Sequence, residues 1–397
     1  MATVEPYATA GGLRYRVRYR TPNHRQTTRR GFATKRAAEA FLHLVEVSKL
    51  RGEFIDATAA RATIGELGDE WLKSKESRLK PSSFRPLQIA WRVYVRPRWG
   101  STYVGDVRHS AVSAWVAEMA AGTAVSARSS GRRVSKTEGK PKSATTVLRA
   151  HGVLAGVMDV AVRDRRITSN PCRALDNLPR KSSREHRYLN HDELTALADG
   201  SGGHRTVVLV LGYCGLRWGE LSALRRRDVD LNRRRLTVSQ NAVLVGGVIE
   251  VGTPKSHERR SVPFPELLTE EISRAISGKN PDDLVFGGPF GGYLRRPNTS
   301  AGTTSWFIRA LAAAGLERMG IHDLRHTAAS LSVSAGANVK AVQRMLGHKS
   351  AAMTLDVYSG LFDDDLDGVS HLLNQAATRA NVVRMWSNAE PNDSIAP

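Results

Sequence analysis

The pattern of apolar and polar positions changes twice along the chain. Residues 13–20 alternate strictly, Leu-Arg-Tyr-Arg-Val-Arg-Tyr-Arg, which predicts a strand. Leu13, Tyr15, Val17 and Tyr19 fall on one of its faces, and Arg14, Arg16, Arg18 and Arg20 on the other. Thr21, Pro22 and Asn23 suit a turn, and residues 27–32 can return as a strand. Thr34 is placed to cap a helix running to about Leu50, with Ala38, Phe41, Leu42 and Val45 as its stripe. Residues 1–57 therefore read as a three-stranded sheet plus helix.

Past a linker-like stretch at 57–63 the period becomes helical. Ile64, Leu67, Trp71 and Leu72 share a stripe, while Trp91, Trp99 and Trp115 supply bulk for a core. Leu148, His151, Leu154, Met158 and Val162 line one side of a further helix, which Asn170 and Pro171 close. This makes residues 64–176 an all-α domain. Residues 179–187 are polar and basic, as a linker would be. Asn190 and Glu193 then form a capping box at the start of a third domain, residues 186–380. That domain is mostly helical, with a small antiparallel sheet at 236–262 turning at Gly246 and Gly247. A helix-like segment at about 366–380 precedes a tail, 381–397. The expected fold class is multidomain α+β.

A length of 397 residues agrees with several domains, since single cores rarely grow past about 250–300 residues. The formal charge of +21 changes the picture more, because it calls for a polyanion, and nucleic acid is the commonest inside cells. Of 59 basic residues 46 are arginine, whose planar fork meets phosphate oxygens in pairs, although a GC-rich genome would give the same bias. Residues 1–60 hold 11 Lys/Arg against 5 Asp/Glu. Side chains two apart on a strand stand about 6.6–7 Å apart, close to the phosphate spacing of a DNA strand, so Arg14, Arg16, Arg18 and Arg20 are candidate DNA contacts. Residues 122–142 carry six Lys/Arg and one acid, which fits a basic loop over nucleic acid or a solvated insertion. No lipidation signal or long apolar segment argues for a membrane, and residues 1–12 lack the apolar core of a secretory signal. Cys172 and Cys214 are too few for a disulfide framework or a cysteine zinc site. A cytoplasmic protein working on DNA is the expectation.

Four segments carry candidate chemistry. Arg217 lies in an apolar run that looks helical, with Glu220 three residues on to hold it. Lys255 stands at the mouth of the hairpin, beside Ser256 and His257. His322 and Arg325 are three apart on a helical stretch, and His348 follows the helix stop at Gly347. Tyr358 comes ten residues later. Together they offer cations for a phosphate, imidazoles for proton traffic and a phenol as nucleophile. His322 and His326, four apart, also imitate zinc ligands, but Asp323 stands where the zincin motif needs Glu, and Arg325 would crowd a cation. No metal site is expected.

Gly-Leu-Arg-Trp-Gly-Glu-Leu at 215–221, His-Asp-Leu-Arg-His-Thr at 322–327, Leu-Gly-His at 346–348 and Tyr358 occur in an order and spacing that resemble the tyrosine recombinase (phage integrase) family. The resemblance is specific over about 186–380. It extends to residues 64–176, which look like the family's helical, SAM-like core-binding domain, and to residues 1–57, which look like its arm-binding domain. It implies that Arg217, Lys255, His322, Arg325, His348 and Tyr358 are catalytic, with Glu220 in support. Tyr358 would be the nucleophile, forming a 3′-phosphotyrosyl link, and Lys255 the general acid for the leaving 5′-oxygen. His322 and His348 would bound the phosphate, with His322 assisting proton removal. Because the bond energy is retained, no metal, nucleotide or other cofactor is expected. The implied partners are core-type and arm-type attachment sites in double-stranded DNA, a homotetramer on synapsed DNA, a host DNA-bending factor and an excisionase. A type IB topoisomerase and a DNA-binding regulator without catalysis are the rivals.

Overall fold

The alternation at the amino terminus folds as a strand because one of its faces has a helix to pack against. In the computed structural model, the described residues are 2–22, 24–50, 54, 59–126, 139–181, 187–253, 259–348, 350 and 373–378. Strands β1 (Thr3–Thr9), β2 (Gly12–Arg20) and β3 (Gln26–Phe32) form an antiparallel sheet in the order β1-β2-β3. Helix α1 (Lys35–Leu50) is capped by the Thr34 hydroxyl, which accepts the Ala37 N–H at 3.2 Å. Val17 and Tyr19 are buried with Ala38, Val45 and Phe54, and Tyr15 packs at the edge of the cluster. Leu13 departs from the expected face. It lies next to the Thr9–Gly12 turn, outside that cluster, and is 59% exposed.

The opposite face of β2 is not a uniform row of cations. Glu5, directly across from Arg16 in the register, bonds Arg16 at 2.8 Å and reaches Arg18 at 3.5 Å. Arg14 and Arg20 make no ion pair among the described residues.

The helical stretch that follows comprises α2 (Ile64–Glu76), α3 (Pro81–Ala90), α4 (Arg96–Trp99), α5 (His109–Ala121) and α6 (Ala144–Arg163). Thr63 and Glu66 close a capping box at the start of α2. The tryptophans form a core as expected. Trp99 and Trp115 meet edge to face at 5.9 Å, and Trp91 lies so near the α2 backbone that a Cβ on Gly68 would stand 1.9 Å from its ring. Helix α6 is buried on a wider face than its sequence stripe suggests, because α2, α3 and α5 all pack on it. The buried face is also displaced from that stripe: Leu148 and Val162 are only half-buried, while Val147, Val153 and Val157 lie inside. By length and composition α6 could cross a membrane, against the expectation of no long apolar segment; here half of that apolar window is buried in the helical core.

These elements belong to one compact unit, residues 1–183; residues 184–397 form a second. The second contains α7 (His191–Asp199), α8 (Arg205–Cys214), α9 (Trp218–Ser222), β4 (Val229–Asp230), β5 (Arg235–Val238), β6 (Asn241–Val245), β7 (Val248–Gly252) and β8 (Arg260–Pro263). It continues with α10 (Thr269–Ile276), α11 (Trp306–Ala313), α12 (Asp323–Ser334) and α13 (Val339–Leu346). The Asn190–Glu193 capping box starts α7 as expected. Where one small sheet was expected there are two among the described residues, β4-β5-β8 and the hairpin β6-β7, since β8 returns past the hairpin to pair with β5. Helices α8 and α12 run through a core that includes Leu194, Leu211, Leu236, Phe307, Leu324 and Leu346. Residues 373–378 are helical and exposed.

Candidate active site

The site is built where three chain segments meet: the turn after α8, the start of α12 and the carboxyl end of α13. The first is the turn after α8. Gly215 ends that helix at φ +64°, a conformation glycine adopts without strain, and a Cβ there would stand 2.6 Å from Leu346 Cδ2. Arg217 is therefore not inside a helical run as its apolar neighbours suggested. It is extended, with ψ 149°, and serves as the residue before the first turn of α9. From there its N–H donates to Glu220 Oε2 and its Nη1 to Glu220 Oε1, both at 2.9 Å.

The second segment is α12. Asp323 opens it, accepting the Gly320 N–H at 2.7 Å, which leaves His322 just before the first turn. Arg325 is 3% exposed, and its guanidinium donates from Nη1 to Gly215 O at 2.7 Å and from Nη2 to Leu346 O at 2.5 Å. The rings of His322 and His326 meet edge-on at 5.4 Å.

The third is the end of α13, which Gly347 stops in the left-handed conformation at φ +65°. A helix end leaves its last carbonyls without intrahelical donors, and its dipole favours cations. Three arginines answer it. Arg260 Nε donates to Met345 O at 3.0 Å, Arg325 to Leu346 O, and Arg217 Nη2 approaches Gly347 O at 3.4 Å. His348 follows, its backbone tied to Gln343 at both N–H and C=O.

Arg260 was missed by the sequence reading. It opens β8, and it clamps Glu220 with Nη1 to Oε1 at 2.9 Å and Nη2 to Oε2 at 2.6 Å. The only sequence signal was a second arginine beside Arg259 at the start of a short strand. Arg296, exposed, was missed as well; its charge bears on His322.

The electrostatics follow from this crowding. Glu220 is 1% exposed, and burial alone would raise its pKa. The hydrogen bonds and charges of Arg260 and Arg217 overcome that and hold it at about 2. His348 is pushed down to about 4, by desolvation first and then by Arg325, Arg217 and Arg260. His322 is lowered by desolvation, Arg325 and Arg296, with Asp323 opposing. Near neutral pH both rings are uncharged, so each can donate from one nitrogen and accept at the other. The arrangement presents fixed guanidinium groups and neutral imidazoles, a set suited to holding an anion while a proton moves.

Arg217, Glu220, His322, Arg325 and His348 are thus brought into one neighbourhood. Lys255 lies outside the described residues, in the connection between β7 and β8, and so do Ser256 and His257. Tyr358 also lies outside them, as do most of the basic stretch 122–142 and of the helix expected at 366–380. Arg14, Arg16, Arg18 and Arg20 belong to the first unit, away from this constellation in the chain.

Comparison with known proteins gives three kinds of match. The phage integrase family matches residues 187–364. The integrase of Mycobacterium phage L5 is 30% identical over 308 residues, spanning 75% of this chain and 76% of that protein. Among solved structures, the Tn1549 transposon integrase in complex with transposon right end DNA aligns at a TM-score of 0.59 with 20% identity, covering 80% of this chain and 100% of that one. The lambda integrase tetramer bound to a Holliday junction aligns at 0.53 with 18% identity, covering 87% and 96%.

Proposed function

The chain belongs to the phage integrase family of tyrosine recombinases, and from that premise we propose how its residues divide the work of cutting and rejoining DNA. It is a site-specific DNA recombinase. The observation that carries the residue assignment is the gathering of Arg217, Arg325, His322 and His348 around the end of α13, with buried Glu220 beneath Arg217.

Arg217 and Arg325 hold the non-bridging oxygens of the scissile phosphodiester, where negative charge grows as the phosphorus is attacked. Tyr358 is the nucleophile. Its phenolic oxygen forms the new bond to phosphorus as the bond to the 5′-oxygen breaks. A phenol has a free pKa of about 10, so it needs cations nearby and a base to take its proton. His322, uncharged near neutrality, is the acceptor. Lys255 gives a proton to the departing 5′-oxygen, and His348 donates a hydrogen bond to the phosphate. The 3′-phosphotyrosyl link keeps the bond energy, so a 5′-hydroxyl from another strand reverses the step without nucleotide or metal.

The finer division of the chain belongs to the same reading. Residues 1–57 bind arm-type sites, residues 64–176 bind the core site, and residues 186–380 cleave, followed by the tail 381–397. Arg14 and Arg20 are the stronger phosphate contacts of the sheet, because Glu5 already engages Arg16 and Arg18. Four copies assemble on two synapsed sites, with a host bending factor and an excisionase as accessory partners. The test is exchange between two plasmid-borne attachment sites by the purified full chain. Exchange lost with Arg325→Ala in protein that remains folded and binds the sites supports the assignment, and normal exchange with that variant refutes it. Relaxation of supercoils without exchange would favour a topoisomerase. Deletion of residues 1–60 should abolish arm-site binding and spare core-site cleavage, and unchanged arm binding would refute the division.

A further inference from the structure

We infer that Arg260 is a positioning residue of the cleavage centre, one that occupies the fork of Glu220 and so keeps the Arg217 guanidinium turned to the DNA phosphate. The inference rests on the reading above, in which Arg217 holds that phosphate.

Glu220 has two oxygens, and arginine faces both. Arg260 takes them as a parallel pair, at 2.9 and 2.6 Å. Arg217 reaches the same carboxylate through a single side-chain bond to Oε1 and through its backbone N–H to Oε2. A two-pronged guanidinium–carboxylate pair is the strongest arrangement open to either arginine. Arg217 is three residues from Glu220 and already touches it, so with the fork vacant it could close onto both oxygens. Arg260 holds that place. The second amino nitrogen of Arg217 then has only a long approach, 3.4 Å, to Gly347 O. Burial divides the two cations in the same sense: the Arg260 side chain is 9% exposed and that of Arg217 25%. One anion is shared between two cations, and the surplus positive charge stands on the accessible one.

Arg260 is also held from outside the pair. Its Nε bonds Met345 O, and its stem passes Gly347 so closely that a Cβ there would lie 3.1 Å from Cδ. Its backbone pairs with Val238 in the β5–β8 register. One side chain thereby links β8, the strand that follows the Lys255 connection, to α9 and to the end of α13.

The test uses the full chain on a nicked duplex bearing the attachment core, read from the junctions of an element found integrated beside the gene for this chain. Single-turnover formation of the covalent adduct and the affinity for the duplex are measured separately. Arg260→Ala should slow adduct formation by at least about tenfold with little change in affinity. Glu220→Gln placed in that background should recover a clear part of the rate under conditions where both variants are fully folded by circular dichroism, because a neutral amide no longer captures Arg217; recovery that only tracks restored folding would mark Arg260 as merely structural. If Arg260→Ala does not fold, Arg260→Lys replaces it, since an ammonium neutralises Glu220 without filling its fork and should also be slow. A wild-type rate in either single variant, or a double variant as slow as Arg260→Ala, overturns the inference alone. Absence of adduct with the unaltered chain overturns the underlying reading as well.

Discussion

Arg325 donates to the carbonyl of Leu346 at 2.5 Å, which joins the middle of the site to the end of α13. The other arm of the same guanidinium holds Gly215 O, so one buried side chain satisfies two backbone acceptors from different segments. Arg325→Ala leaves both carbonyls without that donor, at about 1–3 kcal/mol each. A stability loss of about 2–5 kcal/mol is expected on urea denaturation. Arg325→Lys should recover only part, because an ammonium cannot span both. An alanine variant with unchanged midpoint would show that the carbonyls do not depend on it.

Glu220 sets a pH dependence of defined sign. Its folded pKa of about 2 lies below the ordinary 4.5, so the unfolded chain takes up the proton first as the solution is acidified. The stability it contributes is complete above about pH 4.5 and is lost as pH falls towards 2, amounting to about 3 kcal/mol. Glu220→Gln should flatten the stability curve across that window while lowering the neutral plateau. An acid limb identical to that of the wild type would contradict the buried triad.

For His348 the shift again runs downward, to about 4, but the charge involved is positive. The unfolded ring charges first as pH drops below about 6.5, so this group also costs stability on acidification. Its ring proton resonances should titrate with a midpoint near 4 in the free protein, and bound DNA should raise that midpoint, since a phosphate anion favours the imidazolium. A free-protein midpoint near 6.5 would mean that the ring is neither desolvated nor surrounded by the three arginines.

Gly347 offers a prediction about shape. At φ +65° a side chain costs about 1–2 kcal/mol, and here its Cβ would also press on the stem of Arg260. Gly347→Ala should therefore lower stability by about that amount and slow adduct formation as well. Loss of stability with an unaltered cleavage rate would separate the helix stop from the cleavage centre.

Much of this was legible in the sequence, for identifiable reasons. The β2 alternation, the Thr34 cap, the Asn190–Glu193 box and the Gly347 stop are local rules, and each holds apart from the exposed Leu13. Arg217, His322, Arg325 and His348 were visible because polar residues interrupt apolar periods. What escaped depends on tertiary partners. Arg217 looks helical until Gly215 turns the chain, and Arg260 looks like strand surface until β8 pairs with β5 beside Glu220. Glu5 quiets half of an arginine row that read as uniform, because nothing in 13–20 says which residue lies across from Arg16.

In the proposed cleavage Tyr358 becomes covalently joined to DNA, and that bond can be sought directly. The full chain is incubated with nicked attachment-core duplex, the adduct is digested with protease and nuclease, and the modified peptide is sequenced by mass spectrometry. The expected result is a nucleotide-bearing peptide containing Tyr358, and no adduct from Tyr358→Phe. An adduct that persists in that variant, or that maps to another residue, would contradict it.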